Sequence, residues 1–190
     1  MSIYSPAEDS YLMSKILENN LPELIKQNPD LKFLEIGTGN GIHLQTALDL
    51  RIKKENIFSS DINQEAVSHC KSLGFNCIHS DLFENFKKEM KFSLIIFNPP
   101  YLPEDSKEPR DSRIATTGGK KGSETINKFL EQAKNYLDKN GKIFLLTSSF
   151  TKGINFKGYK KRLLEKKKLF FEEICVWELK PTPITPPTCP

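Results

Sequence analysis

Short apolar runs alternate with helix-like segments along most of the chain, and this alternation limits the possible fold more than any other feature. The apolar runs cover residues 31–36, 56–60, 75–79, 92–97 and 142–147, and helical patterns lie at residues 6–18, 42–50, 64–73 and 123–137. Strands that alternate with helices form a mostly parallel, twisted sheet with helices on both faces. The sequence therefore predicts an α/β fold of this kind.

Two later regions fit the alternation less well. The basic segment 157–168 is compatible with a helix or with the first arm of a hairpin, and residues 170–179 fit a final strand. We favour the hairpin, which would give the sheet an antiparallel C-terminal strand. The polar loop at residues 102–122 is too long for a simple connection, and its length favours a functional lid.

Length and composition indicate a folded domain. The chain has 190 residues, of which 37% are hydrophobic and 27% are charged. This mixture is typical of globular proteins and lacks the bias of disordered chains. We expect one domain over residues 1–180 and a Pro-rich tail at residues 181–190 that is extended or disordered, because proline cannot donate to a regular ladder of hydrogen bonds.

The sequence gives no sign of a membrane span or a metal site. No apolar run approaches the roughly 18 residues needed to cross a bilayer, and the N-terminal residues do not resemble a secretory leader, so we expect a cytoplasmic protein. The four cysteines and three histidines have neither metal-ligand nor disulfide spacing. The net charge is +4, and residues 157–168 carry seven Lys/Arg against one Glu. We favour a solvated surface there over a patch that faces nucleic acid or the ribosome.

The first predicted strand ends in a glycine-rich turn that is typical of nucleotide-binding sheets. This turn runs through Gly37, Thr38 and Gly39 to Gly41, and Asp61 follows about 20 residues later, at the end of the second strand. A carboxylate at that distance commonly binds a ribose hydroxyl. The turn is weak evidence alone, but with Asp61 it favours an adenosine-type ligand.

Glu35 favours a cationic ligand over a dinucleotide. The turn reads GxGxG, not GxGxxG, and the Glu35 carboxylate beside it would repel a pyrophosphate. S-adenosylmethionine (AdoMet) carries a sulfonium and an ammonium and would suit this charge. The alternative is that Glu35 only pairs locally. Asp81, past the third strand, could accept from an adenine amino group or could belong to a simple turn or helix cap.

The segment Asn98-Pro99-Pro100-Tyr101 follows the fourth strand. The two prolines stop the ladder and hold the backbone rigid, and an asparagine amide can both donate to and accept from a planar amino group, against which Tyr101 can pack. Such a nitrogen needs orientation more than deprotonation, and orientation can supply about 7–11 kcal/mol. The alternative is a strand-ending turn that binds nothing.

Together these residues resemble the class I AdoMet-dependent methyltransferases with a Rossmann-like fold, and within them the HemK-like protein-glutamine methyltransferases that modify translation release factors. Residues 4–10 and the glycine-containing segment 118–122 are similar to the archaeal and eukaryotic branch. The resemblance implies AdoMet contacts from the turn and the strand ends, and these residues are Ser10, Glu35, Gly37, Thr38, Gly39, Asp61, Asp81, Leu82 and Asn98. It implies that the acceptor glutamine is held by the Asn98 side chain and the Pro99 carbonyl, within the motif Asn98, Pro99, Pro100 and Tyr101.

The resemblance implies an activity and partners. The expected reaction is N5-methylation of the GGQ glutamine of a class 1 release factor, without a metal, and a small zinc-binding activator subunit is a candidate partner. The alternative is a methyltransferase for amino groups of nucleic acid, since the Asn-Pro-Pro-Tyr motif is shared with enzymes that methylate adenine or guanine. A third reading is a non-catalytic protein of the same fold. We expect a type of release-factor enzyme other than the bacterial one, because the sequence shows no counterpart of the separate N-terminal helical domain of the bacterial members.

Overall fold

The structure, a computed structural model, describes residues 3–104 and 116–182. Strands and helices alternate as the sequence predicts, and a hairpin follows them. The helices are α1 (Glu8–Gln27), α2 (Ile42–Asp49), α3 (Gln64–Ser72) and α4 (Glu124–Ala133), and the strands are β1 (Phe33–Ile36), β2 (Ile57–Asp61), β3 (Asn76–His79), β4 (Phe92–Phe97), β5 (Leu137–Ser148), β6 (Tyr159–Leu169) and β7 (Glu172–Pro181).

The strands form one sheet of seven in the order β3-β2-β1-β4-β5-β7-β6. The pairs from β3 to β5 are parallel, and β7 pairs antiparallel with both β5 and β6. This confirms the predicted mostly parallel α/β fold with an antiparallel C-terminal end. After β1 the chain adds β2 and β3 on one side of β1 and then places β4 on the other side. The topological switch point, where such sheets bind ligands, therefore lies between β1 and β4.

Apolar side chains alternate between two cores on opposite faces of the sheet. In β4, Leu94 and Ile96 face the core beneath α1, α2 and α3, whereas Ile95 and Phe97 face the core beneath α4. All four side chains are buried, as expected for a parallel strand covered on both faces. This packing holds the carboxyl ends of β1 and β4 side by side, with Ile36 opposite Phe97.

Helix α1 is longer than predicted. It begins at Glu8, one residue after its N-cap Ala7, and it continues past Pro22 to Gln27, whereas the sequence predicted a helix over residues 6–18. The buried face continues from Leu17 to Leu21, one turn on, and this packing outweighs the hydrogen bond that Pro22 cannot make.

The C-terminal hairpin is confirmed, but its turn lies later than expected. Strand β6 pairs with β7 from Tyr159 opposite Pro181 to Leu169 opposite Glu172, so Phe170 and Phe171 form the turn. The prediction that the last strand begins at residue 170 was wrong, because these two phenylalanines carry a strand signal although they occupy the loop. Strand β5 is also longer than the predicted residues 142–147, since Leu137 already pairs with Phe92 across an irregular register.

Two predicted segments outside the sheet, the Pro-rich tail and the lid, are described only in part. Most of the predicted Pro-rich tail, residues 183–190, and the middle of the predicted lid, residues 105–115, lie outside the described residues. Among the described residues, no helix is both long and apolar enough to span a bilayer. Cys70, Cys77 and Cys175 are free thiols.

Candidate active site

A cavity of about 440 Å³ opens at the carboxyl edge of the parallel strands. This volume is within the range of roughly 300–1,000 Å³ that is usual for small-ligand sites. Seven of the residues predicted for the site line it, and these are Gly37, Gly39, Asp61, Asp81, Leu82, Asn98 and Pro100. The other five predicted residues, Ser10, Glu35, Thr38, Pro99 and Tyr101, do not appear in the cavity wall.

Asp61, at the end of β2, is held rigidly by backbone amides. Its Oδ2 accepts from the Gly39 N–H at 2.8 Å and its Oδ1 accepts from the Asn63 N–H at 2.8 Å. Burial raises the pKa of Asp61, although these backbone hydrogen bonds oppose the rise. Each carboxylate oxygen can accept a second hydrogen bond, so Asp61 can still receive ligand hydroxyls. Gly39 adopts φ +52°, which brings its N–H to the carboxylate.

Asp81 and Leu82 follow β3, which lies three strands away from β4 in the sheet. They are therefore distant from the β4 motif, which is the segment Asn98-Pro99-Pro100-Tyr101. Asp81 forms an ion pair of 2.7 Å with Lys128 of α4, and Lys128 also lies 3.2 Å from Glu84. Leu82 is 5% exposed and has φ +49°, a backbone conformation that few residues with a side chain adopt. The apolar side chain of Leu82 and the charged pair beside it make one apolar and one polar wall.

Glu35 is turned away from the cavity into a buried hydrogen-bonded chain. Its Oε1 lies 2.5 Å from Nδ1 of His43, and its Oε2 accepts from the Thr38 hydroxyl at 3.1 Å. On the other side of the ring, Nε2 of His43 lies 3.0 Å from the carbonyl oxygen of Ser10. Glu35 is 1% exposed and His43 is 3% exposed. The chain therefore ties the first turn of α1 to the end of β1, which is the local pairing considered as the alternative for Glu35.

The pKa values of both Glu35 and His43 are raised in this buried pair. Burial raises the pKa of Glu35, and the neighbouring His43 only partly offsets that rise. Burial alone would lower the pKa of His43, but the Glu35 carboxylate and the hydrogen bond with it raise the pKa above its ordinary value. The protonated form of His43 is thus favoured in the folded protein.

Asn98 is oriented by a carboxylate that comes from the far N-terminal side of the chain. Its Nδ2 donates to Oδ2 of Asp9 at 3.0 Å. Asp9 is 6% exposed, and it also accepts from the Ser10 N–H at 2.7 Å and from the Tyr4 hydroxyl at 3.1 Å. Flipping the Asn98 amide would place an oxygen against this carboxylate, so the donor side must face Asp9.

The other side of the Asn98 amide is a buried acceptor. Oδ1 of Asn98 is inaccessible to solvent and has no hydrogen-bond partner among the described residues. Leaving such an acceptor unpaired costs about 1–3 kcal/mol. Asn98 lines the cavity, so a ligand whose N–H group displaces the atoms that cover Oδ1 would supply the missing donor.

The glycine-containing segment 118–122 packs backbone to backbone against the β4 motif. A β-carbon added at Gly118 would lie 2.4 Å from the Pro100 carbonyl oxygen, and one added at Gly122 would lie 2.3 Å from that of Tyr101. The Gly118 N–H donates to the Leu102 carbonyl at 2.9 Å. Only glycine fits such close approaches, so this segment fixes the position of the residues after Asn98.

Sequence reasoning missed Tyr4, Asp9, His43 and Lys128. Asp9 looks like an ordinary acidic residue in the first turn of a helix, and 89 residues separate it from Asn98. No local spacing reports such a contact. Two signals were available: residues 4–10 resemble the opening segment of the family, and Asp9 lies on the apolar side of α1, where a carboxylate needs a partner.

Comparison with known proteins agrees with this geometry. Residues 49–172 match the family model described as Eco57I restriction-modification methylase, a region that includes Asn98. The chain is 37% identical to the putative protein N5-glutamine methyltransferase MJ0928 of Methanocaldococcus jannaschii, and the match covers 93% of this chain and 92% of the relative. It is 28% identical to methyltransferase HEMK2 of Mus musculus, over 76% of this chain and 71% of the relative.

A solved structure shares the whole fold. The Mtq2 protein of E. cuniculi, solved as the Mtq2-Trm112 complex responsible for methylation of the eRF1 translation termination factor, has a TM-score of 0.70 with this chain at 25% identity. The match covers 96% of this chain and 100% of the other. Taken with the near-complete match to the archaeal relative, the fold and the β4 motif show that the chain belongs to the HemK-like family of class I AdoMet-dependent methyltransferases.

Proposed function

We propose that the protein methylates N5 of a glutamine side chain, namely the GGQ glutamine of a class 1 translation release factor, with AdoMet as methyl donor. The observation that carries this proposal is the buried, unpaired Oδ1 of Asn98 beside an Nδ2 held by Asp9. A carboxamide –NH₂ would supply the missing donor. The relatives named as glutamine methyltransferases and the eRF1-modifying Mtq2 support the same substrate.

In this proposal Asn98 orients the acceptor nitrogen. One N–H of the glutamine amide donates to Oδ1 of Asn98 and the other donates to the Pro99 carbonyl, which leaves the face of the nitrogen directed at the methyl group. Tyr101 does not line the cavity, so its ring would pack against the planar amide only when the acceptor binds beside it. The nitrogen would form a bond to the methyl carbon as the carbon–sulfur bond of the sulfonium breaks, the electron pair would leave with sulfur in S-adenosylhomocysteine, and the proton of the nitrogen would pass to solvent. No general base is required to make the nitrogen attack, since the enzyme's contribution is orientation.

AdoMet supplies an electrophilic methyl group, and the cavity residues fit it. Asp61 has lone pairs left for the two ribose hydroxyls, and Leu82 and Ala66 provide apolar surface of the kind an adenine ring packs against. The backbone of Gly37 and Gly39 lets the ligand approach the end of β1 closely. Glu35 and Ser10 would act through the buried chain that supports this turn, because neither lines the cavity.

A second candidate function is methylation of an amino group in nucleic acid. The match to the Eco57I restriction-modification methylase model favours it, and so does the basic strand β6. Part of this charge is already paired, because three of the six basic residues of β6, Arg162, Lys166 and Lys167, lie beside Glu178, Glu173 and Glu8. Lysines neutralised in this way bind phosphates poorly.

The two functions are separated by the polymer that gains label. The protein is incubated with AdoMet carrying a radioactive methyl group, together with the release factor from the same genome or with total RNA and DNA. We expect label in the release factor. In the Asn98→Ala variant, turnover should fall about a hundredfold or more while AdoMet affinity is retained. Asn20→Ala is the matched control, because Asn20 donates only to the Ile16 carbonyl of its own helix. Label in nucleic acid alone would refute the proposal.

We also propose a partner subunit and a location. The solved Mtq2 was obtained with Trm112, and a small zinc-binding activator of that kind is proposed for this chain. Co-expression with a Trm112-like protein from the same genome should give a complex of one copy of each and a higher turnover than the chain alone. A cytoplasmic location is part of the proposal, since translation termination takes place there.

A further inference from the structure

Two adjacent phenylalanines are presented to solvent at the turn of the β6–β7 hairpin. Phe170 is 98% exposed and Phe171 is 93% exposed, and they form the whole connection between Leu169 and Glu172. Two-residue hairpin loops favour glycine, asparagine and aspartate. A pair of aromatic residues there contradicts ordinary turn chemistry, and such contradictions concentrate at functional sites.

The aromatic turn, Phe170 and Phe171, lies at the same edge of the sheet as the active site. Strand β5 runs parallel to β4, and β7 runs antiparallel to β5 with Ile174 opposite Ser148. The Ser149 N–H donates to the Glu173 carbonyl at 2.8 Å, just below the turn. The turn therefore projects past the carboxyl end of β5, the edge at which Asn98 follows β4.

The aromatic turn is on the acceptor side of the site and not on the cofactor side. In the sheet order, β5, β7 and β6 lie beyond β4, whereas Asp61 and Leu82 follow β2 and β3 at the other end. The pKa of Tyr101 is raised mainly by burial, next by the charge of Asp9 and then by the charge of Glu172. Glu172 therefore lies within electrostatic range of the β4 motif. A molecule that contacts the aromatic turn would therefore lie on the side of the site where the methyl acceptor binds.

The hairpin holds the aromatic turn in a fixed position. Ten paired positions join β6 to β7, with one irregularity between Leu163 and Glu165. Ion pairs join β6 to α1, from Lys15 to Glu165 at 2.8 Å and from Lys167 to Glu8. A rigid support lowers the entropy lost when an aromatic side chain binds a partner.

The charges around the aromatic turn favour a protein surface over nucleic acid. Lys166 pairs with Glu173 at 3.2 Å and Lys167 pairs with Glu8, while Glu172 follows Phe171 directly. Phosphates approaching the turn would thus meet two carboxylates, Glu172 and Glu173, and two of the three lysines at residues 166–168 are already paired. An apolar hollow on a folded protein carries no phosphate for these carboxylates to repel. Each phenylalanine can bury roughly 150–250 Å² in such a hollow.

We propose that Phe170 and Phe171 are a docking element that inserts into an apolar hollow on the folded release factor, outside the loop that carries the acceptor glutamine. This inference rests on the proposed function, because it requires a protein acceptor. It assigns recognition to two separate places: the Asn98 motif binds the glutamine, and the aromatic turn binds the body of the factor.

The test compares two substrates with one double variant, Phe170→Ser with Phe171→Ser. With the folded release factor, kcat/KM should fall about tenfold or more, mainly through a higher KM, as expected for the loss of interface aromatics. With a short synthetic peptide that contains the GGQ sequence, kcat/KM should not change. Leu163→Ala is the matched control, because Leu163 is 41% exposed in the middle of β6, far from the turn, and it should leave both rates unchanged.

Each other outcome overturns the inference in a distinct way. An unchanged rate on the folded factor would show that the aromatic turn does not dock it. An equal loss on factor and peptide would show that the turn supports the active site instead. In both cases the docking proposal fails, and methylation of the glutamine by the wild-type protein leaves the proposed function standing. If the wild-type protein methylates neither substrate, both the docking proposal and the proposed function are refuted.

Discussion

Removing the Asp9 carboxylate should disable Asn98 without removing a residue that lines the cofactor cavity, although Tyr4 of the cavity wall loses its hydrogen bond to Asp9. Asp9 accepts from Nδ2 of Asn98 at 3.0 Å and does not line the cavity. Hydrogen bonds to charged groups are worth about 1.5–3 kcal/mol. If that energy is what holds Oδ1 of Asn98 towards the acceptor, Asp9→Ala should lower kcat between about tenfold and 150-fold, and AdoMet affinity measured by calorimetry should stay constant.

A double-mutant cycle separates this orienting role from a general loss of structure. In an Asn98→Ala background there is no amide left to orient, so Asp9→Ala should cost less than about a further twofold in single-turnover rate. Asp9→Asn keeps one acceptor oxygen but turns an –NH₂ against either the Ser10 N–H or Nδ2 of Asn98, so its loss of activity should lie between those of the wild type and Asp9→Ala. Tyr4→Phe is the matched control, since it removes another hydrogen bond to Asp9 and leaves the contact with Asn98. Equal losses from Asp9→Ala in both backgrounds would refute the orienting role.

Three further substitutions test other parts of the site. Gly118→Ala would place a β-carbon 2.3 Å from the Gly122 carbonyl oxygen, and the overpacking should lower the melting temperature by about 2–12 °C and abolish most activity; an unchanged melting temperature would contradict the close packing. Asp61→Ala should weaken AdoMet binding between about tenfold and 150-fold in calorimetry, because two ribose hydroxyls lose a charged acceptor, and an unaltered Kd would place the ribose elsewhere. Glu35→Gln should remove a pH-dependent stabilisation: because the folded-state pKa values of Glu35 and His43 are both raised, the contribution of each is fully present below its ordinary value, 4.5 for Glu35 and 6.5 for His43, and is lost as the pH rises through the raised value. The melting temperature of the wild type should therefore exceed that of the variant most at low pH, and a gap that widens with pH would show the opposite sign.

Much of the fold could be predicted because each feature is local. Strand β4 was predicted at its observed bounds, since its apolar run is buried on both faces and ends at Asn98 and two prolines. Asp61 and Gly37 could be expected together because the carboxyl ends of parallel strands share one edge. The alternation of strands and helices was enough to predict which residues lie at the carboxyl edge of the sheet.

The remaining features depend on contacts that no local pattern contains. Asp9 reaches Asn98 only after α1 has packed across the sheet, and the Glu35 carboxylate was free to face either the ligand or the interior. The structure directs it to His43, which the sequence presented only as one histidine without a metal-like spacing. Phe170 and Phe171 were assigned to a strand because aromatic residues favour strands, and only the register of β6 with β7 places them in the turn.

The central claim is that Asn98 holds a glutamine amide nitrogen for methylation, and peptide mass spectrometry tests it most directly. The release factor is purified from cells that lack this protein and from the same cells complemented with the wild-type gene or with Asn98→Ala. The account predicts one added methyl group on the GGQ glutamine in the wild-type complemented cells alone. An unmodified glutamine in those cells, or full methylation in cells that carry Asn98→Ala, would contradict it.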